Sequence, residues 1–353
     1  MITGRSAAGL CGGMRPVPMR RRPTGCALRE CRVLSVLAVT FPFFALVLCG
    51  YLATRAGWLP LAAIPGLNAF VLFFALPCML FRFGARTSIA ELLDPAAAGV
   101  YLACGLALVA AAIALTRRRL GWNDAAFGAL ATAFPNTGFM GVPLLVTLLG
   151  PAAAGPVILT MLLDMVVTTA VCVGLSRLGG GDAPGTEGAR AALGRALRGM
   201  AANPMPWSIA LGALASGLQV AVPGPVDRTV GLLADAAAPV ALFTIGAVLA
   251  RAGMAAQPGE ALRPRDGLGA ALAKLVVHPL LVWGAGHAAI AAGAPLSAPA
   301  HTALVLAAAL PSASNVSLLA ERFGAHTGRI ARVILVSTVL AFLSFSAAVA
   351  VWT

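Results

Sequence analysis

Apolar residues in this chain neither alternate nor recur as a single helical stripe. They come in ten near-continuous runs, at 33–53, 63–81, 97–115, 125–149, 153–175, 204–222, 229–250, 268–291, 298–320 and 328–352, and the segments between them gather arginine, glycine and proline. Each run is close to the ~20 residues that cross about 30 Å of hydrocarbon as a helix. Backbone groups in lipid must pair within the protein, which leaves helices or closed barrels, and continuous apolar runs do not fit the in–out alternation of a barrel strand. The pattern predicts an all-α polytopic membrane protein of ten transmembrane helices. Composition agrees: 59% of residues are hydrophobic and 10% charged, with a mean hydropathy of +0.91, against about 45–50% apolar in soluble domains.

The formal net charge of +13 suggests nucleic acid in a soluble protein, but here it maps onto loops. The connections after runs 1, 3, 5, 7 and 9 carry fourteen arginines: Arg55, Arg117, Arg118, Arg119, Arg177, Arg190, Arg195, Arg198, Arg251, Arg263, Arg265, Arg322, Arg329 and Arg332. The opposite side carries Arg82, Arg86 and Arg228. The positive-inside rule therefore places the odd-numbered loops in the cytoplasm and both termini outside a cytoplasmic membrane. Residues 1–32 read as a disordered basic tail whose seven arginines oppose that orientation without outweighing it. The tail has no apolar h-region, so it does not read as a signal peptide, although the first run fits an uncleaved signal anchor. The seven cysteines are odd in number and contain no C-x-x-C pair, which suggests neither a disulfide framework nor a zinc site.

Two pairs of runs resemble each other. Run 2 contains ALPCMLFRFG and run 7 AAPVALFTIG, which aligns Pro77, Phe81 and Gly84 with Pro239, Phe243 and Gly246. Runs 4 and 9 are both interrupted by polar residues behind a proline: Pro135, Asn136, Thr137 and Gly138 within FPNTGFMGVPLL, and Pro311, Ser312, Ser314 and Asn315 within LPSASN. The division is therefore a tail 1–32, a first five-helix repeat 33–175, a short cytoplasmic loop 176–203 and a second five-helix repeat 204–353. An odd number of crossings inverts the second copy in the bilayer. Proline within a helix removes a donor and clashes with the preceding turn. The freed backbone groups are tolerated only toward protein or a watery cavity, and paired broken helices point to a substrate site near the midplane. Half-helix N-termini, with the amides and hydroxyls of these segments, suit an anionic group such as a carboxylate. The plainer alternative is that Pro135 and Pro143 kink a packed helix while Gly138 and Gly141 permit close contact.

Asp164, Asp235, Lys274 and His278 lie within apolar runs, where ionisable groups are functional candidates by default. Lys274 and His278, four apart, share a helix face and suit holding an anion, pairing with Asp235 or relaying a proton; a structural ion pair is the alternative. His287 and His301 flank a short outer loop, read as interfacial residues and, without an H-E-x-x-H pattern, do not read as metal ligands. No nucleophile with a base, carboxylate dyad or metal set emerges, so an intramembrane enzyme is disfavoured. No G-x-x-x-x-G-K-[ST] motif is present for an ATP-driven pump.

With GLNAFVLFFALPCMLFRFG, FPNTGFMGVPLL, KLVVHPLLVW and ALPSASNVSLLAERFG in order, the chain from about Val33 to its end resembles the auxin efflux carrier family, to which malonate transporters and plant auxin carriers are similar. The resemblance implies a secondary carrier with two inverted five-helix repeats, a scaffold and a transport domain, and a crossing of broken helices 4 and 9 where substrate sits. Pro135, Asn136, Pro311 and Asn315 take the crossing positions. It further implies a small organic anion substrate, coupling to H+ or Na+ or to the substrate's own gradient, no cofactor and a homodimer formed through the scaffold. The short segment 176–203 resembles bacterial permeases rather than plant members with a long loop. A receptor that binds a carboxylate without moving it is the alternative, against which the lack of a sizeable soluble output domain weighs.

Overall fold

The computed structural model describes residues 41–86, 94–178, 194, 204–220, 222–255 and 265–352. The basic tail, and nearly all of the connection expected at 176–203, lie outside the described residues. In chain order the helices are α1 (Phe41–Arg55), α2 (Leu61–Gly84), α3 (Pro95–Ala133), α4 (Thr137–Leu149), α5 (Pro151–Ser176), α6 (Pro204–Gly217), α7 (Gly224–Ala255), α8 (Gly267–Ala291), α9 (Ala298–Ala308), α10 (Asn315–Arg322) and α11 (Thr327–Trp352). Among the described residues there is no strand, only one isolated bridge between Pro135 and Ser312. Among the described residues six helices, α2, α3, α5, α7, α8 and α11, are long and apolar enough to cross a membrane. The remaining apolar helices are shorter, and runs 4 and 9 owe this to their breaks.

One expected boundary moves. The segment around Arg117 to Arg119, expected as a loop, is helical, and the chain turns at Gly121, where φ is 76° and ψ 169°. That left-handed backbone is open to glycine at little cost. Thus α3 holds run 3 and the first half of run 4 as two arms. Its start is set by Asp94, whose carboxylate accepts from Ala96 N (2.9 Å) and Ala97 N (3.0 Å) ahead of Pro95, a cap that satisfies two of the orphan amides of a helix start.

Four widened, π-type turns interrupt the helices, at Val71–Ala75, Thr137–Gly141, Asp164–Thr168 and Ala273–Val277. Three have one cause. Pro77, Pro143 and Pro279 follow them, and the carbonyl four residues before each proline, which its ring would strike, lies inside the widened turn. The turn at Asp164 has no such proline; its carboxylate is held from outside the helix, as described below.

Helices α1, α2, α6 and α7 pack through glycines. A Cβ at Gly84 would lie 2.6 Å from Ile209 O, and one at Gly212 would meet Phe81 O. The same lock joins α1 to α7: a Cβ at Gly246 would meet Val47 O, and one at Gly50 would meet Phe243 O. In each lock a glycine of α2 or α7 sits on the carbonyl three residues before the partner glycine, and Phe81 and Phe243 supply the reciprocal carbonyls. The equivalence of Phe81 and Gly84 with Phe243 and Gly246, read from the sequence, is therefore also an equivalence of contacts. A second body is formed by α3, α5, α8, α9 and α11, and the first turn of α4 reaches across to α7.

Candidate functional site

The two proline breaks meet. Phe134 and Asn136 leave the helical region (φ −84°, ψ 104° and φ −77°, ψ 55°), and the extended backbone pairs with the break of run 9. Asn136 N donates to Pro311 O at 2.8 Å and Ala313 N to Phe134 O at 3.0 Å. Each break thus satisfies part of the backbone that the other leaves open. Ser312 N donates to Ser337 Oγ of α11 at 3.1 Å, which anchors the crossing to a third helix. Gly141 allows the approach, since a Cβ there would be 2.7 Å from Leu310 Cδ1.

Side chains at the crossing are left unpaired. Among the described residues six buried side-chain polar atoms have no hydrogen-bond partner, and four of them are here: Asn136 Oδ1, Thr137 Oγ1, Ser312 Oγ and Asn315 Oδ1. Each such atom costs about 1–3 kcal/mol. The amide N–H groups of Gly138 and Phe139, in the first turn of α4, meet no backbone carbonyl. Pro135, Asn136, Gly138, Phe139 and Asn315 line a cavity of about 20 Å³ with Met161 and Met165 of α5, room for about one water. A second cavity of about 20 Å³ lies on the α2 and α7 side, bordered by Asn68, Phe139, Arg251, Ser314, Asn315 and Ser317.

Asp164, Lys274 and His278 come together as a second buried group. Asp164, 1% exposed, accepts from Tyr101 Oη at 2.6 Å and Thr168 Oγ1 at 2.9 Å. Lys274 Nζ, wholly buried, donates to Ala308 O at 2.7 Å and lies 3.0 Å from His278 Nδ1. It also interacts electrostatically with Asp164. An Nδ1 that accepts from the ammonium puts the ring proton on Nε2, which has no partner. Ala308 closes α9 just before the break, so Lys274 sets a cation against the negative end of that half-helix. The group is thereby tied to the crossing.

Asp235 does not join it. Its carboxylate is 2.8 Å from Arg82 Nη1, with side-chain exposures of 72% and 31%, so the pairing of Lys274 with Asp235 weighed from the sequence does not form, and Lys274 Nζ goes instead to Ala308 O and His278 Nδ1. The reason is the fold: Asp235 is on α7, with the first body, and Lys274 on α8, with the second. His301 is buried rather than interfacial; its Nε2 is 3.3 Å from Val282 O, and its ring is 4.9 Å from that of exposed His287.

Sequence reasoning did not single out Tyr101, Thr168, Ser337, Asn68 or Arg251 as site residues. Tyr101 carried a usable signal, because a tyrosine inside an apolar run needs a partner for its hydroxyl. Asn68 carried the same signal in run 2. Arg251 was read as a loop charge.

With this geometry in view, comparisons with known proteins assign the chain. A family model described as "Membrane transport protein" matches residues 35–349. A Rhizobium meliloti (strain 1021) protein named "Putative malonate transporter" is 32% identical over 316 residues, 87% of this chain and 92% of that protein. The Escherichia coli (strain K12) protein named "Uncharacterized transporter YfdV" is 25% identical over 297 residues, 81% of this chain and 88% of its own length. The chain, with its apolar helices and meeting proline breaks, belongs to this family of membrane transport proteins.

Proposed function

We propose that this protein is a secondary carrier that moves a small organic anion, a mono- or dicarboxylate such as malonate, across the cytoplasmic membrane by alternating access, with the paired breaks as its substrate site. The observation that carries this reading is the cluster of four unpaired buried polar atoms on Asn136, Thr137, Ser312 and Asn315, beside unpaired N–H groups at the start of α4. Fixed, unsatisfied polar groups around a small cavity are what a polar ligand would satisfy. The substrate named for the Rhizobium relative agrees with the anion chemistry.

In this proposal the ten runs form two inverted five-helix repeats, supported by the matched glycine locks and by the antiparallel pairing of the breaks. The body of α1, α2, α6 and α7 is the scaffold, and the body holding Asp164, Lys274 and His278 moves against it. Those three residues are the proposed coupling group for H+ or Na+, since Lys274 holds the end of the broken helix at Ala308 O and none of the three lines the cavity. Both termini face outward.

The test is uptake of a radiolabelled carboxylate panel, beginning with malonate, into proteoliposomes with pH, sodium and voltage gradients imposed one at a time. Protein-dependent accumulation that follows one gradient is the expected result. Asn136→Ala and Asn315→Ala should each lose uptake while remaining folded. Binding without accumulation in the wild type would make the protein a receptor, and normal saturation in both variants would remove the crossing as the site.

A further inference from the structure

We propose that Arg251 and Asn68 form a second carboxylate subsite beside the crossing, and that this subsite makes the protein select dicarboxylates over monocarboxylates. The inference rests on the carboxylate reading above and adds to it the location of the second charge.

At the crossing, Asn136, Thr137, Ser312 and Asn315 are all neutral. Such groups can hold one carboxylate through hydrogen bonds but offer no positive side chain to a second one. A second charge carried into a low-dielectric space needs a cation. Among the described residues the only cation bordering either cavity is Arg251.

Arg251 is half-buried near the end of α7 and has no hydrogen bond or ion pair among the described residues. Among the described residues no acidic side chain borders its cavity. The side chains of Asn68 and Ser314, on the same cavity, also make no hydrogen bond. Together they place a planar guanidinium fork, which matches a carboxylate in two parallel bonds, beside a neutral amide and a hydroxyl. Arg251 stands a turn before the last residue of α7, so a solvated charge near a helix end is the plainer reading of it. That does not account for the cavity in front of it or for its two unpaired polar neighbours.

The two cavities adjoin through shared residues. Asn315 and Phe139 border both, so a ligand held at Asn315 has its far end directed past Phe139 toward Arg251. Each cavity has room for about one water. A three- or four-carbon dicarboxylate therefore enters only when they merge, and the buried side chain of Phe139 is the partition that moves.

The experiment compares malonate with propionate, equal in carbon number but carrying one carboxylate, in wild type, Arg251→Gln, Arg251→Lys and Asn68→Ala. Uptake into proteoliposomes is measured together with ligand-induced thermal stabilisation of the detergent-purified protein, so that binding is read even without transport. Arg251→Gln should lower the malonate-to-propionate ratio at least about 30-fold in kcat/KM, with malonate's thermal protection lost. Arg251→Lys should restore part of the ratio, since it keeps the charge without the fork. An unchanged ratio, an equal fall for both ligands, or no protection of the wild type by malonate would overturn the subsite. Failure of the underlying site is read separately: Asn136→Ala that still binds both ligands removes the crossing as the first carboxylate's site, whatever Arg251→Gln does.

Discussion

Lys274→Met tests whether the buried group is held together by charge. In the wild type Nζ donates to Ala308 O, contacts His278 Nδ1 and acts on Asp164. Methionine fills most of the volume, so the loss is chiefly electrostatic and polar. It leaves the buried Ala308 carbonyl and His278 Nδ1 without their donor and takes a cation out of the field of buried Asp164, which places the cost near the 3–5 kcal/mol typical of removing one buried charge. At about 2 cal/mol/K per residue, 353 residues give an unfolding entropy near 0.7 kcal/mol/K, so Tm should fall by about 4–7 °C. Asp164→Asn alone should also destabilise, because Tyr101 and Thr168 lose a charged acceptor. The assay is a double-mutant cycle by thermal unfolding in detergent. If the two charges support each other, the double variant should lose about 2–3 kcal/mol less than the two singles together. Strict additivity would refute the coupling and leave two independent polar contacts.

Three further outcomes follow from the packing. Gly84→Leu and Gly246→Leu should each cost about 3 kcal/mol or more, because backbone carbonyls occupy the space; thermal unfolding should show matched losses, and a large loss at one with none at the other would contradict the equivalence of the two locks. Asp235→Asn should change stability by less than about 1 kcal/mol, as expected of an exposed pair, and leave uptake within about twofold. Ser337→Ala should cost about 1–2 kcal/mol by removing the acceptor of Ser312 N, and should lower uptake more than Asp235→Asn does, measured in the same liposomes.

The residues of the crossing were legible because proline, asparagine and glycine have no neutral role in the middle of an apolar helix. Pro239 sits inside an unbroken α7, so it is proline together with the adjacent Asn136 and Thr137, or Ser312 and Ser314, that marked the breaks at Pro135 and Pro311. The glycine equivalence was legible for a similar reason, since Gly84 and Gly246 stand at matching distances behind Pro77 and Pro239. The continuation of helix through Arg117 to Arg119 up to the turn at Gly121 was not, because a polar stretch between two apolar runs reads as a loop. Nor was the role of Arg251: counting loop arginines settles orientation by sum and says nothing about which one faces a cavity.

Hydrophobic runs and helix breakers act over a few residues, through lipid solvation and local backbone chemistry, so the sequence alone determined a helical membrane protein with two interrupted segments. Partner choice among buried charges depends on which helices touch, which local chemistry does not encode. Only the tertiary structure decided that Lys274 holds His278 and the end of α9 while Asp235 is held by Arg82, and that Asn315 stands between a neutral cavity and one bordered by Arg251.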